Sequence, residues 1–376
     1  MRRSVSEQEA LPAGITFRLN KILRDKGKFG YGVIKEIHEY TKLERHLISK
    51  LIQGKVRSIS WQTLGQICLY LRDKLDVDLA DLPGILFGFE AAEFWEMLSQ
   101  SDVTLTVGVR RVDGVERRWV NAYDAYLLGE VLNGLFRLGH EKLANLTQHL
   151  VLSYRRGEDL ALCIDQAEGI HKAFHEEGGN RALICIGSVK SNPVTEWIAA
   201  EMFGARPFES QDRMRSAKRR TCPFFLQFRP DDPDTPSCHG GFRLATSRGS
   251  KTPGIYYETR SGRWECCPSA GTEDSALILY AYRPPEGTME LVLAGFSGRA
   301  TGATALKLRA LSLRAWPPNY DREHIKIGVF IVRFLFPEET DPQRAAWPMP
   351  VEPIDFDCTA VDEAVLARRL DRLKKQ

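Results

Sequence analysis

"LICIGSVKSNPVTEW", residues 183–197, is the stretch whose reading decides the fold of the larger part of this chain. Leu183–Ile186 form a short apolar strand that runs into Gly187-Ser188, and Asn192-Pro193 then open a helix. A strand that passes through a glycine turn into a helix leaves backbone N–H groups at the strand's C-terminal end. Rossmann-like folds bind phosphates and other anions at such places. Downstream, "LVLAGFSGRATGATAL" (residues 291–306) repeats the arrangement at Gly295, Ser297, Gly298 and Thr301. The candidate ligand-binding residues are therefore Gly187, Ser188, Asn192, Gly295, Ser297, Gly298 and Thr301. Neither stretch is a GxGxxG or a Walker loop, and Arg299 stands where a GxSxG nucleophile elbow needs its last glycine. The competing reading is that both are tight turns that only connect strand to helix.

Outward from this stretch the pattern stays α/β. "CPFFLQF", "GIYYET", "SALILYAY", "MELVLAG" and "IKIGVFIVRFLF" read as strands, with "RPPEGT" (residues 283–288) a hairpin turn. Residues 359–376 read as a closing amphipathic helix capped by Thr359, with Asp362 three positions on. Residues 181–376 are thus expected to form a Rossmann-like α/β domain with a mixed sheet. On the N-terminal side, residues 89–180 read as a connecting region. It holds a hairpin in "VTLTVGVRRVDGVERRWV" turning at Asp113-Gly114, a helix in "AYDAYLLGEVLNGLFRLG", and further helix over 140–178.

The first part of the chain is different again. Residues 1–14 read as a loose tail. Leu19, Ile22 and Leu23 then share a helical face closed by Gly27, and a second short helix spans about Val33–Thr41. "TKLERHLISKLIQGK" (residues 41–55) supplies a third, and Ser60 caps a fourth with Leu64, Ile67, Cys68, Leu71 and Leu75 on one stripe. In the third, Leu43 and Ile48 are spaced to lock it against the second helix, with Ile37 and Leu51 completing a small core. That packing points Glu44, Arg45, His46, Ser49, Lys50 and Gln53 outward, where a helix lying in a major groove reaches base edges. Lys50, Lys55, Arg57 and Ser58 suit phosphate contacts. Charge agrees: residues 16–60 carry eleven Lys/Arg against four acids, although the whole chain is only +3.

Residues 16–88 resemble the Cro/repressor (XRE-type) helix-turn-helix family. "LISKLIQGK" takes the place of that family's Thr-Ile-Ser segment, and "SISWQTLGQICLYL" matches its next helix. His38 stands where the family has a small residue and Lys42 where it often has glycine at the turn. The resemblance covers about a fifth of the chain and sets a helix-turn-helix domain at residues 15–88. It implies double-stranded DNA as partner and a homodimer on a two-fold operator.

Eight cysteines without framework spacing and no apolar leader or membrane span point to a reduced cytoplasmic protein. Cys222, Cys238, His239, Cys266 and Cys267 invite a zinc reading, but no C-x2-C pair exists and no metal is expected. The basic run Arg213–Arg220 is a solvated loop or an auxiliary nucleic-acid or anionic-ligand contact. The sequence as a whole reads as a DNA-binding transcriptional regulator, with no cofactor, whose α/β domain senses a small anionic ligand or mediates dimerisation. The rival reading is a nucleotide- or nucleoside-processing enzyme, perhaps in a defence system. It requires Ser188, Glu196, Asp274 and Ser297 to converge in one pocket.

Overall fold

A computed structural model describes residues 15–28, 30, 32–52, 59–78, 82, 86–112, 115–138, 144–154, 159–177, 179–209, 221–229, 231–232, 235–239, 252–338 and 350–370. The chain divides into two units, residues 1–93 and 94–376.

The first unit is helical. Helices α1 (Leu19–Asp25), α2 (Val33–Thr41), α3 (Arg45–Ile52) and α4 (Trp61–Leu75) bury Leu19, Leu23, Ile37, Ile48, Leu51, Ile67, Tyr70 and Leu71 in one core. All but Tyr70 are apolar positions of the sequence stripes, and their removal from water is what holds such short helices in place. The Ser60 hydroxyl accepts the Thr63 N–H and caps α4, as its position before an apolar run predicts. A two-stranded antiparallel pair, β1 (Ile15–Phe17) with β2 (Phe87–Phe89), joins the beginning and end of the unit. Helix α5 (Glu90–Leu98) crosses the boundary into the second unit.

The second unit is built on a nine-stranded mixed sheet. Its strands are β3 (Asp102–Val112), β4 (Val115–Val120), β5 (Asn145–Leu152), β6 (Arg181–Ile186), β10 (Glu273–Arg283), β11 (Thr288–Gly295), β12 (Tyr320–Arg322), β13 (Ile325–Leu335) and β14 (Asp355–Ala360). Strands β5, β3, β6 and β11 run parallel, and β10 and β13 continue antiparallel from β11. Alternation splits each central strand between two faces. Leu183, Cys185, Leu277, Leu279, Val292 and Ala294 join one core with Ala167 and Phe174 of α7 (Leu160–Glu176) and Val194 and Ile198 of α8 (Val194–Met202). The alternate residues Ile184, Ile186, Leu291 and Leu293 are equally buried and face the other side, where α6 (Ala122–Leu138) and α9 (Gly298–Arg314) pack together. Strands β7 (Phe224–Gln227), β8 (Gly254–Glu258) and β9 (Trp264–Pro268) make a separate three-stranded sheet, and α10 (Glu363–Leu370) closes the fold.

Three sequence expectations change. Residues 89–180 are no separate connector, because β3 lies between β5 and β6 and is buried along Val103, Leu105, Val107 and Val109. Residues 145–152 are a strand where helix was expected. Leu146 and Leu150, four apart like a helical pair, are both exposed on an edge strand held by main-chain pairing to β3. Finally Thr359 lies in β14, and the cap of α10 is Asp362, whose carboxylate accepts the Ala364 N–H at 2.8 Å. Among the described residues no helix is long and apolar enough to cross a membrane.

Candidate functional site

In the helical unit, α2 and α3 meet through residues 42–44. Lys42 adopts the left-handed conformation (φ 60°), which costs a non-glycine residue roughly 1–2 kcal/mol. The turn is stitched by its own side chains. The Thr41 hydroxyl donates to Ile37 O and accepts the Leu43 N–H, and His38 Nδ1 lies 2.6 Å from Leu43 O. His38, large where a small residue was expected, thus fastens the turn. Ile48, Leu51 and Ile52 are buried while Glu44, Arg45, His46 and Lys50 are exposed, and Ser49 is half-buried. Gln53, Lys55, Arg57 and Ser58 lie outside the described residues, as does the basic run 213–220.

In the α/β unit the two glycine turns lie side by side. Strands β6 and β11 are parallel neighbours, Ile186 pairs with Leu293, and the Gly187 N–H donates to Leu293 O at 2.9 Å. Lys190 ties the loops together: its ammonium donates to Phe296 O (2.6 Å) and to Asp232 (3.0 Å) and sits 4.0 Å from the Phe296 ring centroid. Burial pushes the Lys190 ammonium below its ordinary range, and Asp232 opposes that shift.

The named residues nevertheless have internal partners. Asn192 is fully buried. Its amide donates to Thr106 O, Thr106 Oγ1 and Ile186 O, and its carbonyl accepts the Val194 N–H, so it clamps β3 to β6. The Ser188 carbonyl accepts the N–H groups of Ser191 and Asn192. Ser297 caps α9 through the Ala300 N–H and donates to Asp274, and the Thr301 hydroxyl donates back to Ser297 O. A Cβ on Gly295 would come within 2.4 Å of the Thr301 nitrogen. A Cβ on Gly187, where φ is +106°, would meet the Ser191 hydroxyl. At Gly298 the space is filled by the Tyr123 ring, 2.7 Å from where a Cβ would stand. This glycine therefore lets α6 approach α9, where the sequence suggested room for a ligand.

The carboxylates proposed for catalysis sit in different networks. Glu196 accepts from Ser237 (2.6 Å) and from the N–H groups of Cys238 (2.5 Å) and Phe208 (2.9 Å), and pairs with His239 at 3.0 Å. Burial alone would raise its pKa, but His239 and these donors together hold it below the usual carboxylate range. Asp274 instead accepts from Ser269, Ser297 and the Ser275 N–H, with Arg299 at 3.5 Å. Both carboxylates are wholly buried. Cys222 and Cys238 are buried free thiols, burial raises the Cys238 thiol well above its ordinary value, and Cys238 lies beside Glu196 and His239. What sequence reasoning passed over is an i, i+4 histidine pair in "GIHKAFHEEG", His171 and His175, within a segment read only as helix. No known protein family, curated protein or solved structure matches this chain.

Proposed function

We propose that the chain is a sequence-specific DNA-binding regulator, with α2 and α3 acting as a helix-turn-helix and α3 entering the major groove of double-stranded DNA. The observation that carries this reading is the two-sided α3: Ile48, Leu51 and Ile52 in the core, Glu44, Arg45, His46 and Lys50 in solvent. Arg45 and Lys50 share that face within a strongly basic stretch, which favours a polyanionic partner. A module of this size makes few base contacts, so two copies on a two-fold operator supply the affinity, with the α/β unit as dimeriser. A small anionic ligand at the paired loops is the regulatory input. There it would compete with Asp232 for Lys190 and with Asp274 for Arg299.

The test is duplex binding by the full chain at several salt concentrations, on a selected site and on scrambled DNA. Arg45→Ala should cost about 1–3 kcal/mol on the selected site and relax sequence preference, if Arg45 reads a guanine. Lys50→Ala should weaken both duplexes alike and reduce the salt slope by about one unit. Equal, salt-independent losses would remove the proposed docking. Thermal shifts with phosphate and nucleotides test the ligand, and their absence would leave both loops as connectors.

A further inference from the structure

We propose that His171, His175 and Glu290 form a binding site for a divalent transition-metal ion of the zinc class, with Glu201 at its edge. Helix α7 presents both imidazoles one turn apart on its inward face. Strand β11 supplies Glu290 from the face of the sheet that α7 and α8 cover, and the last turn of α8 supplies Glu201. His171 Nε2 lies 3.3 Å from Glu290 Oε1 and 3.3 Å from Glu201 Oε2. For His175 Nε2 the same two distances are 3.2 and 3.4 Å. Donor atoms around a tetrahedral ion with bonds of about 2.0–2.1 Å lie about 3.3–3.4 Å apart.

The second observation is a buried nitrogen that faces two carboxylates without a well-directed hydrogen bond to either. It is Nε2 of His171, a residue only 6 % exposed. His175 bonds to the same Glu290 oxygen that His171 faces, so one carboxylate oxygen serves both imidazoles. Two imidazoles crowded on one carboxylate oxygen share it poorly, whereas a cation among His171, His175 and Glu290 engages all three.

The surroundings fit a cation. Arg283 of β10 engages the outer oxygens of both carboxylates, Glu290 Oε2 at 2.7 Å and Glu201 Oε1 at 3.5 Å, which turns the inner oxygens toward the histidines. With neutral imidazoles the two carboxylates and Arg283 sum to one negative charge, a favourable field for a divalent ion. The Trp197 ring stacks on His171 at 5.9 Å and holds its plane. Two imidazoles exclude a calcium- or magnesium-type oxygen cage, and the lack of sulfur excludes a copper(I) or iron–sulfur site. A cavity of ≈ 430 Å³ bordered by Lys172, Glu176 and Pro207 leads to the cluster from solvent, with the Glu201 side chain 43 % exposed at its edge.

The test uses the full chain, stripped with chelator and titrated with Zn²⁺ by calorimetry. Binding at about one ion per chain and a higher melting temperature are expected, since a ligand of the native state stabilises it. The Co²⁺ form should show four-coordinate visible bands without thiolate charge transfer. His171→Ala and Glu290→Gln should each weaken Zn²⁺ binding by more than about 100-fold, beyond the roughly 10–100-fold typical of a lost supporting partner. The exposed His149→Ala should leave binding unchanged. If Glu290→Gln fails to fold in chelator, judged by circular dichroism, the His171→Ala, His175→Ala double variant decides in its place. No saturable Zn²⁺ binding, unaltered affinity in the histidine variants, or a Co²⁺ spectrum with thiolate bands would each overturn the site.

Discussion

Asp124 shows how much a single buried group sets the pH response of the α/β unit. It lies in the first turn of α6, and burial pushes its carboxyl up to about 7 although Arg110 opposes the shift. Its folded-state pKa is above the unfolded value, so the native state binds the extra proton. Stability from this group is complete below about pH 4, falls as pH rises toward 7, and is level beyond. The slope is about 1.4 kcal/mol per pH unit in that window at most. Asp124→Asn keeps a neutral side chain at every pH. In urea titrations its advantage over the unaltered chain should widen from pH 4 to 7 and then stay constant. An advantage that does not change with pH would mean that Asp124 remains ionised in the fold. At this scale the sequence disclosed identities and little else. Nothing in the sequence singles out Asp124 or Glu290, which are set apart by their burial in the fold.

Among elements, the contact of α6 with α9 is the most instructive. Gly298 and Gly302 stand four apart on α9, and the Tyr123 ring covers both, 2.7 and 2.9 Å from where their Cβ atoms would be. Gly298→Ala therefore forces the ring or the helix aside, a strain of about 1–3 kcal/mol. Thermal unfolding should fall accordingly, and the loss should shrink in a Tyr123→Ala background, because the two residues share one space. Equal losses in both backgrounds would assign the glycine to something other than this packing. The sequence did mark the helix and its glycine entry. It could not disclose that the glycine faces Tyr123, some 175 residues earlier by position. Similarly residues 145–152 fell inside a segment read as helix, and only the neighbouring β3 supplies the main-chain partners that make them a strand.

The division into residues 1–93 and 94–376 has a direct consequence for the whole molecule. The helical unit has its own core, and its ends are tied by β1–β2 and by the Arg18–Glu93 pair at 3.5 Å. A fragment cut after residue 88 loses the end of β2 and Glu93, whereas one ending at Leu98 keeps both. Residues 1–98 should fold cooperatively by circular dichroism and melt at a higher temperature than residues 1–88. If the full chain dimerises through its α/β unit, the fragment should also bind a two-fold site far more weakly than the full chain, for want of the partner copy. Equal melting of the two fragments would show that the strand pair adds nothing. Equal DNA affinity of fragment and full chain would remove the dimeriser role.

The sequence by itself determined the helices of the first unit, their caps and buried stripes, because periodicity and capping are local properties. The Ser60 cap and the strand–turn–helix passages at Gly187 and Gly295 were legible for the same reason, while the left-handed turn at Lys42 was implied only by the family resemblance. Tertiary structure alone decided which strands are neighbours, and with that the place of residues 89–180 in the main sheet. It also decided that Asn192 and Ser297 spend their hydrogen bonds inside the protein. His171, His175, Glu201 and Glu290 come from two helices and a strand spread over some 120 residues. No window of sequence contains them together, and only the packing of α7 and α8 on one face of the sheet brings each imidazole within 3.2–3.4 Å of the two carboxylates.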